Sequence, residues 1–181
     1  LSELEQSPYP YVVKIQEKVK ELIAQHRSGV FDTWLEQDKI SCLPNYALPA
    51  VISPTAFTSM VPKSLYTAEE DMNEYEFKVA WALSELENVK WWHRNISRLG
   101  FQINGPVHAY PDIIVMLNSG KVLMVETKDD HLDNDESKEK AKIGDQWARL
   151  AGKQYKYYMV FESKQPDYPG AYSLERFMEI V

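Results

Sequence analysis

The chain has 181 residues, 44% of them hydrophobic, with a net charge of −7 and one cysteine, Cys42. That length and apolar content suffice for one substantial core with an appended segment, and a lone cysteine excludes an internal disulfide framework. No apolar run reaches the roughly 18–20 residues that cross a bilayer, and LSELEQSPYP lacks the basic and apolar blocks of a signal peptide, so a cytoplasmic protein without membrane contact is expected.

Residues 1–65 form the first of two expected regions. A chain that opens on Leu1 rather than Met is expected to be part of a longer polypeptide. Val12, Ile15, Val19, Leu22 and Ile23 recur at helical spacing, which predicts an amphipathic helix over 12–27 with Gly29 as its C-terminal cap. Prolines 44, 49, 54 and 62 then interrupt any regular pattern, giving either an ordered extended connector or the remnant of a boundary with an upstream domain.

Residues 66–181 carry the stronger patterns. Thr67 and Glu70 have the spacing of a capping box and predict a helix through about Glu87, with Phe77, Ala80, Trp81 and Ser84 on one face and Val79, Leu83 and Leu86 beside it. This segment also concentrates the charge. From Glu69 to Glu87 there are seven acids and one base, Lys78, so it holds −6 of the total and leaves the rest of the chain nearly balanced. The overall acidity therefore argues only weakly against an anionic partner.

Downstream, VKWWHR at 89–94 is a strand candidate and Phe101–Asn104 a short one. Ile113–Leu117 and Lys121–Thr127 form a hairpin about Asn118-Ser119-Gly120. Both hairpin strands are nearly continuous apolar runs, as expected of central strands buried on both faces. A second helix is predicted over Glu136–Leu150, stopped by Gly152, then a strand at Tyr155–Phe161 and a terminal helix over Leu174–Val181. The sum is an α/β sandwich with a mixed central sheet of four or more strands flanked by helices.

The hairpin carries charges where charge is expensive. Glu126 and Lys128 are two apart on one strand and so face the same side. Asp112 lies six residues before Asn118, and Glu126 six after Gly120, so the two carboxylates fall nearly opposite one another, within reach of one ion. Two carboxylates and a carbonyl such as that of Thr127 make a hard oxygen site suited to Mg²⁺. A lysine beside it orients an attacking water or offsets charge growing in a transition state.

Pro111-Asp112, thirteen intervening residues and then Glu126-Thr127-Lys128 resembles the signature of the PD-(D/E)xK nuclease superfamily. Its setting, with the preceding helix, NVKWWHRN, YPD, the hairpin and ETKDDHLDND before a lysine-bearing helix, is similar to the C-terminal nuclease domain of type III restriction enzyme Res subunits and related helicase-nuclease proteins, over about residues 66–162. The resemblance implies a restriction-endonuclease-like fold and a metal-dependent DNA endonuclease, with Asp112 and Glu126 as ligands of Mg²⁺ (or Mn²⁺) and Lys128 as the catalytic lysine. It implies an acid from the first core helix, for which Glu74 fits best and Glu76 is the alternative. It implies as partners DNA, an ATP-driven translocase in the rest of a longer chain, and a modification subunit. A glycine often follows the lysine in this family, whereas this chain has Asp129.

Other candidates are less specific. Arg94, Asn95, His108 and Lys142 could contact the DNA backbone, and His131 also flanks the motif. Lys138 and Lys140 alternate with acids as on an ordinary solvated helix. For Trp91 and Trp92, adjacent on a strand, one ring in the core and the other partly covered is favoured over stacking on bases. The other functional class open to the chain is a nuclease-fold module that binds DNA or docks another domain without turnover.

Overall fold

A computed structural model describes residues 9–56 and 60–181. The chain divides into two compact units, Leu1–Ser41 and Cys42–Val181.

The first unit is dominated by helix α1, Tyr9–Glu36, all of whose described side chains are at least partly exposed. It runs straight through Gly29, the expected cap. A glycine in a helix costs only about 1 kcal/mol, and Val30-Phe31-Asp32-Thr33-Trp34-Leu35 contains no proline to enforce a stop.

The second unit holds α2 (Glu74–Glu85), β1 (Val89–Arg94), β2 (Ile113–Leu117), β3 (Val122–Lys128), α3 (Asp135–Ala151), β4 (Tyr155–Phe161), β5 (Ala171–Ser173) and α4 (Leu174–Ile180), with one 3-10 turn at Asp130–Leu132. The strands form one mixed sheet in the order β1-β2-β3-β4-β5; the pairs β1–β2 and β2–β3 are antiparallel, while β4 runs parallel to β3 and β5 parallel to β4. The fold is thus α/β, with helices covering a five-stranded sheet.

The apolar hairpin strands are buried on both faces, as their composition requires. Leu123 and Val125 join Val79, Leu83, Trp92, Val115 and Phe177 in the main core, beneath α2 and α4. Met124, Ile114 and Met116 turn the other way and, with Trp91 and Trp147 of α3, line an apolar cavity of about 140 Å³. Trp92 is fully buried with its indole N–H on the Pro62 carbonyl, and Trp91 is half-buried, which is the ordinary division of an adjacent pair on a strand. The turn closes with Gly120 at φ +82°, its N–H on the Leu117 carbonyl, a conformation in which glycine avoids the Cβ penalty.

Three local expectations are corrected. Helix α2 starts at Glu74, not Thr67, because Asn73 and Glu76 form the capping box: the Glu76 N–H donates to Asn73 Oδ1 and the Asn73 N–H to Glu76 Oε2. Glu70 instead takes the N–H groups of Thr55 and Ala56 and the Thr55 hydroxyl, tying down the proline-rich segment. Trp81 is exposed, and the buried face of α2 is made by Tyr75, Glu76, Val79, Ala80, Leu83 and Ser84. The expected strand at Phe101–Asn104 reduces to a single bridge between Ile103 and Ala109, whereas β5, only three residues long, has no periodicity by which to be recognised.

Candidate active site

The site residues gather at the end of the β2–β3 hairpin farthest from its turn. Regular pairing reaches Ile113 and Val125. One residue further the ladder is altered: the Asp112 N–H donates to Val125 O at 2.8 Å, while the Thr127 N–H and hydroxyl both donate to Asp112 Oδ2 at 2.8 Å. A side-chain carboxylate thus replaces a backbone acceptor. Asp112 is fixed against the residue between Glu126 and Lys128.

On β3, Glu126 is only 3% exposed, yet both of its oxygens are satisfied: Oε1 meets the Lys128 ammonium at 2.7 Å and Oε2 accepts from the Tyr157 hydroxyl at 2.8 Å. Burial pulls the Lys128 pKa down, and the nearby Glu126 carboxylate, with Asp112 and Glu136 adding to it, pushes it up further, so the net displacement is upward. Lys128 therefore stays an ammonium at neutral pH, a fixed positive charge rather than a proton acceptor. The Tyr157 phenol is pushed well above its ordinary value, first by burial and then by Glu126, so it remains a donor.

The helix acid at this rim is Glu76. Glu74 is exposed and stands outside the cluster, whereas Glu76 is buried at N3 of α2 and meets Arg94 Nη2 through Oε1 at 2.9 Å. Burial raises the Glu76 pKa, with Arg94 partly offsetting it. Arg94, the last residue of β1, also reaches Asp112: Nη1 lies 3.3 Å from Oδ1 and 3.0 Å from the backbone carbonyl. Glu76, Asp112 and Glu126 face Arg94 and Lys128, three acids against two bases, and all six carboxylate oxygens have partners.

Two of the expected phosphate contacts are spent inside the fold. Arg94 serves the carboxylates. Asn95 is 1% exposed: its amide N–H₂ donates to Phe101 O and Pro111 O, its Oδ1 accepts from the Phe101 N–H, and its own N–H donates to Asp112 O. It therefore sets the backbone of the Pro-Asp pair rather than meeting a ligand. His108, His131 and Lys142 are exposed. Lys140 pairs with Glu136 at 2.8 Å, and Lys138 stands 6.0 Å above the Tyr168 ring.

Asp129, where a glycine would be more usual, has φ −65° and ψ 146°, an extended conformation open to any residue. The turn here makes no demand for glycine. Beyond it, Asp130 accepts from the Ser163 hydroxyl and from the N–H groups of Ser163 and Lys164, anchoring the end of β3 to the segment after β4.

Two residues of weight were not evident in the sequence. Tyr157 is one. The other is Glu69, buried at 2% exposure, which accepts from Ser64 and from the Arg94 N–H and faces His93 Nδ1 at 2.9 Å. The signal for Glu76, by contrast, was present as Asn73-x-x-Glu76, a capping-box spacing.

The donor chemistry suits a hard divalent cation. Among the described residues no cluster of three or more His, Cys, Asp or Glu side chains is spaced to hold a metal. Mg²⁺, however, characteristically takes one or two carboxylates and completes its shell with waters and substrate oxygens. Asp112, Glu126 and the Thr127 carbonyl are that kind of donor set. No family model, curated protein or solved structure matches this chain.

Proposed function

We propose that the second unit is a metal-dependent DNA endonuclease of the restriction-endonuclease-like fold, and that it hydrolyses phosphodiesters at the Asp112–Glu126–Lys128 rim. The observation that carries this is a cluster of three acids and two bases at one end of a hairpin, with Glu76 and Glu126 buried and Arg94, Asp112 and Lys128 partly buried, where Asp112 is bonded to the residue between Glu126 and Lys128. A structural core gains little from burying so many charges, since well-packed apolar residues in their place are often as stable or more so. The cluster carries one negative charge in excess, a setting that favours a dication.

In this proposal Asp112, Glu126 and the Thr127 carbonyl hold Mg²⁺ or Mn²⁺. The ion supplies a water of lowered pKa and polarises the phosphate. The chain does the positioning. Thr127 holds one oxygen of Asp112, Tyr157 holds one of Glu126, and Lys128, kept charged, stabilises negative charge developing on the phosphate. Glu76 enters through Arg94. DNA is the proposed substrate, with the exposed His108 and Lys142 proposed as contacts of its backbone. A translocase in a longer chain and a modification subunit are proposed partners by the same resemblance.

Cleavage of plasmid DNA with Mg²⁺ or Mn²⁺, compared among wild type, Asp112→Ala and Lys128→Ala, tests the assignment; equal cleavage by all three overturns it. A second proposal, a nuclease-fold module that binds DNA or docks a partner domain without turnover, is favoured by one feature: Arg94 and Lys128 already neutralise most of the cluster. DNA binding with neither Asp112-dependent Mn²⁺ binding nor cleavage would select it.

A further inference from the structure

Arg94 differs from the three acids of the cluster in how it is held. Each acid has an anchor of its own that does not involve Arg94. Asp112 has Thr127, which donates twice at 2.8 Å; Glu76 has the Asn73 N–H at 3.0 Å, within the capping box; Glu126 has Tyr157 at 2.8 Å. The guanidinium is less well satisfied. Its Nη1 is shared among Asp112 Oδ1 at 3.3 Å, Asp112 O at 3.0 Å and Asn95 O at 3.1 Å, and its Nε is buried with no hydrogen-bond partner. A permanent structural arginine would be expected to satisfy that donor, because a buried donor left unmade costs its full desolvation. The Asp112 Oδ1 contact, at 3.3 Å, is also longer than the Arg94–Glu76 and Lys128–Glu126 ion pairs of the cluster.

We propose that Arg94 is an exchangeable internal cation, which neutralises Asp112 and Glu76 in the metal-free protein and yields Asp112 Oδ1 to the divalent ion on loading. This rests on the metal-dependent assignment above and extends it to how the site is kept when no metal is bound. The exchange has a physical basis. Three carboxylates brought together without a cation would repel one another, and a fixed guanidinium beside a bound dication would weaken that ion's binding. Because the acids keep their own anchors, Arg94 can leave Asp112 without dispersing the ligands. Arg94 is in this sense a positioning residue for the metal-free state and a competitor of the metal.

Mn²⁺ titration of the full 181-residue chain, by calorimetry or by loss of the free-ion paramagnetic signal, reads this without any cleavage assay. Arg94→Met, which removes the charge, is expected to bind Mn²⁺ at least tenfold more tightly than wild type. Arg94→Lys, which keeps it, should stay within about threefold of wild type. Asp112→Asn should lose the site in either background. Mn²⁺ binding that depends on Asp112 but is unchanged or weaker in Arg94→Met overturns the inference and leaves the metal assignment standing. Absence of any Asp112-dependent binding overturns both. Should Arg94→Met fail to fold, a crystal structure of wild type with Mn²⁺ decides: the ion on Asp112 with Arg94 no longer touching Oδ1 supports the exchange, and the ion on Asp112 with that contact intact refutes it.

Discussion

Tyr157 donates its hydroxyl to Glu126 Oε2 at 2.8 Å, and its ring occupies the space that a side chain at position 144 would need. A Cβ built on Gly144 would fall 2.2 Å from Tyr157 Cδ1, which belongs to a buried ring with no room to retreat. Two opposing effects then decide Gly144→Ala. Alanine in mid-helix gains about 1 kcal/mol over glycine, whereas overpacking a closed core costs about 1–3 kcal/mol. The clash should win, giving a lower thermal midpoint; a midpoint equal to or above wild type would show that Tyr157 is not fixed where it grips Glu126. Tyr157→Phe, which leaves the ring but strips Glu126 of a donor, should cost about 1–3 kcal/mol.

Lys128 gives a pH dependence with a definite sign. Its folded pKa is raised, so its contribution is fully present below the ordinary lysine value of about 10.4 and is lost as pH rises through the folded value. Lys128→Met, which leaves Glu126 buried beside no cation, should be destabilised at pH 7 by about 3 kcal/mol. The gap between wild type and variant in urea midpoint should narrow above about pH 10, where the lysine of the unfolded chain discharges while the folded Lys128 is still charged. A gap that widens with pH would contradict the pairing.

The inward placement of Asn95 separates a scaffold residue from a ligand contact. Asn95→Ala strands the Phe101 N–H and the Phe101 and Pro111 carbonyls together, so a loss of about 3 kcal/mol is expected. Gly100→Ala should act through the same group, since its Cβ would stand 2.1 Å from Asn95 Oδ1. A phosphate-contacting Asn95 would behave otherwise, with unfolding midpoints near wild type and weakened DNA binding alone.

The buried pair Glu69 and His93 makes a prediction independent of any catalytic assignment. Glu69→Ala removes the acceptor of Ser64, His93 and the Arg94 N–H from a site that water does not reach, and should destabilise the second unit by about 3 kcal/mol. Chemical unfolding followed by tryptophan fluorescence reports it directly, because Trp92 is in the adjoining core.

What could be read from the sequence follows the range of the interactions. The β2–β3 hairpin, α3 and β4 have strong local signals, in apolar runs, an Asn-Ser-Gly turn and helical spacing ended by Gly152, and their observed bounds lie within a residue or two of those expected. The start of α2 was displaced because two capping-box spacings, Thr67–Glu70 and Asn73–Glu76, compete within ten residues. Thr67 and Glu70 lost because Glu70 is claimed by Thr55 and Ala56, far along the chain. The same long-range pairing hid Arg94 and Asn95. A polar pair at a strand end looks solvent-facing until the acids and carbonyls that consume it are brought up from α2 and the Pro-Asp turn. Asp112, Glu126 and Lys128 were legible because their spacing sits inside one hairpin, while Tyr157 comes from a strand that joins only after a helical crossover.

Single-turnover cleavage of a labelled DNA duplex by excess protein, with Mn²⁺ present, tests the proposed chemistry most directly, comparing wild type with Lys128→Met after both are shown to be folded. Loss of one positioned group that stabilises transition-state charge lowers rates by about 10²–10³-fold. Metal-dependent cleavage by wild type that falls by that factor in the variant is the predicted result; cleavage at the same rate in both, or none by wild type, would contradict it.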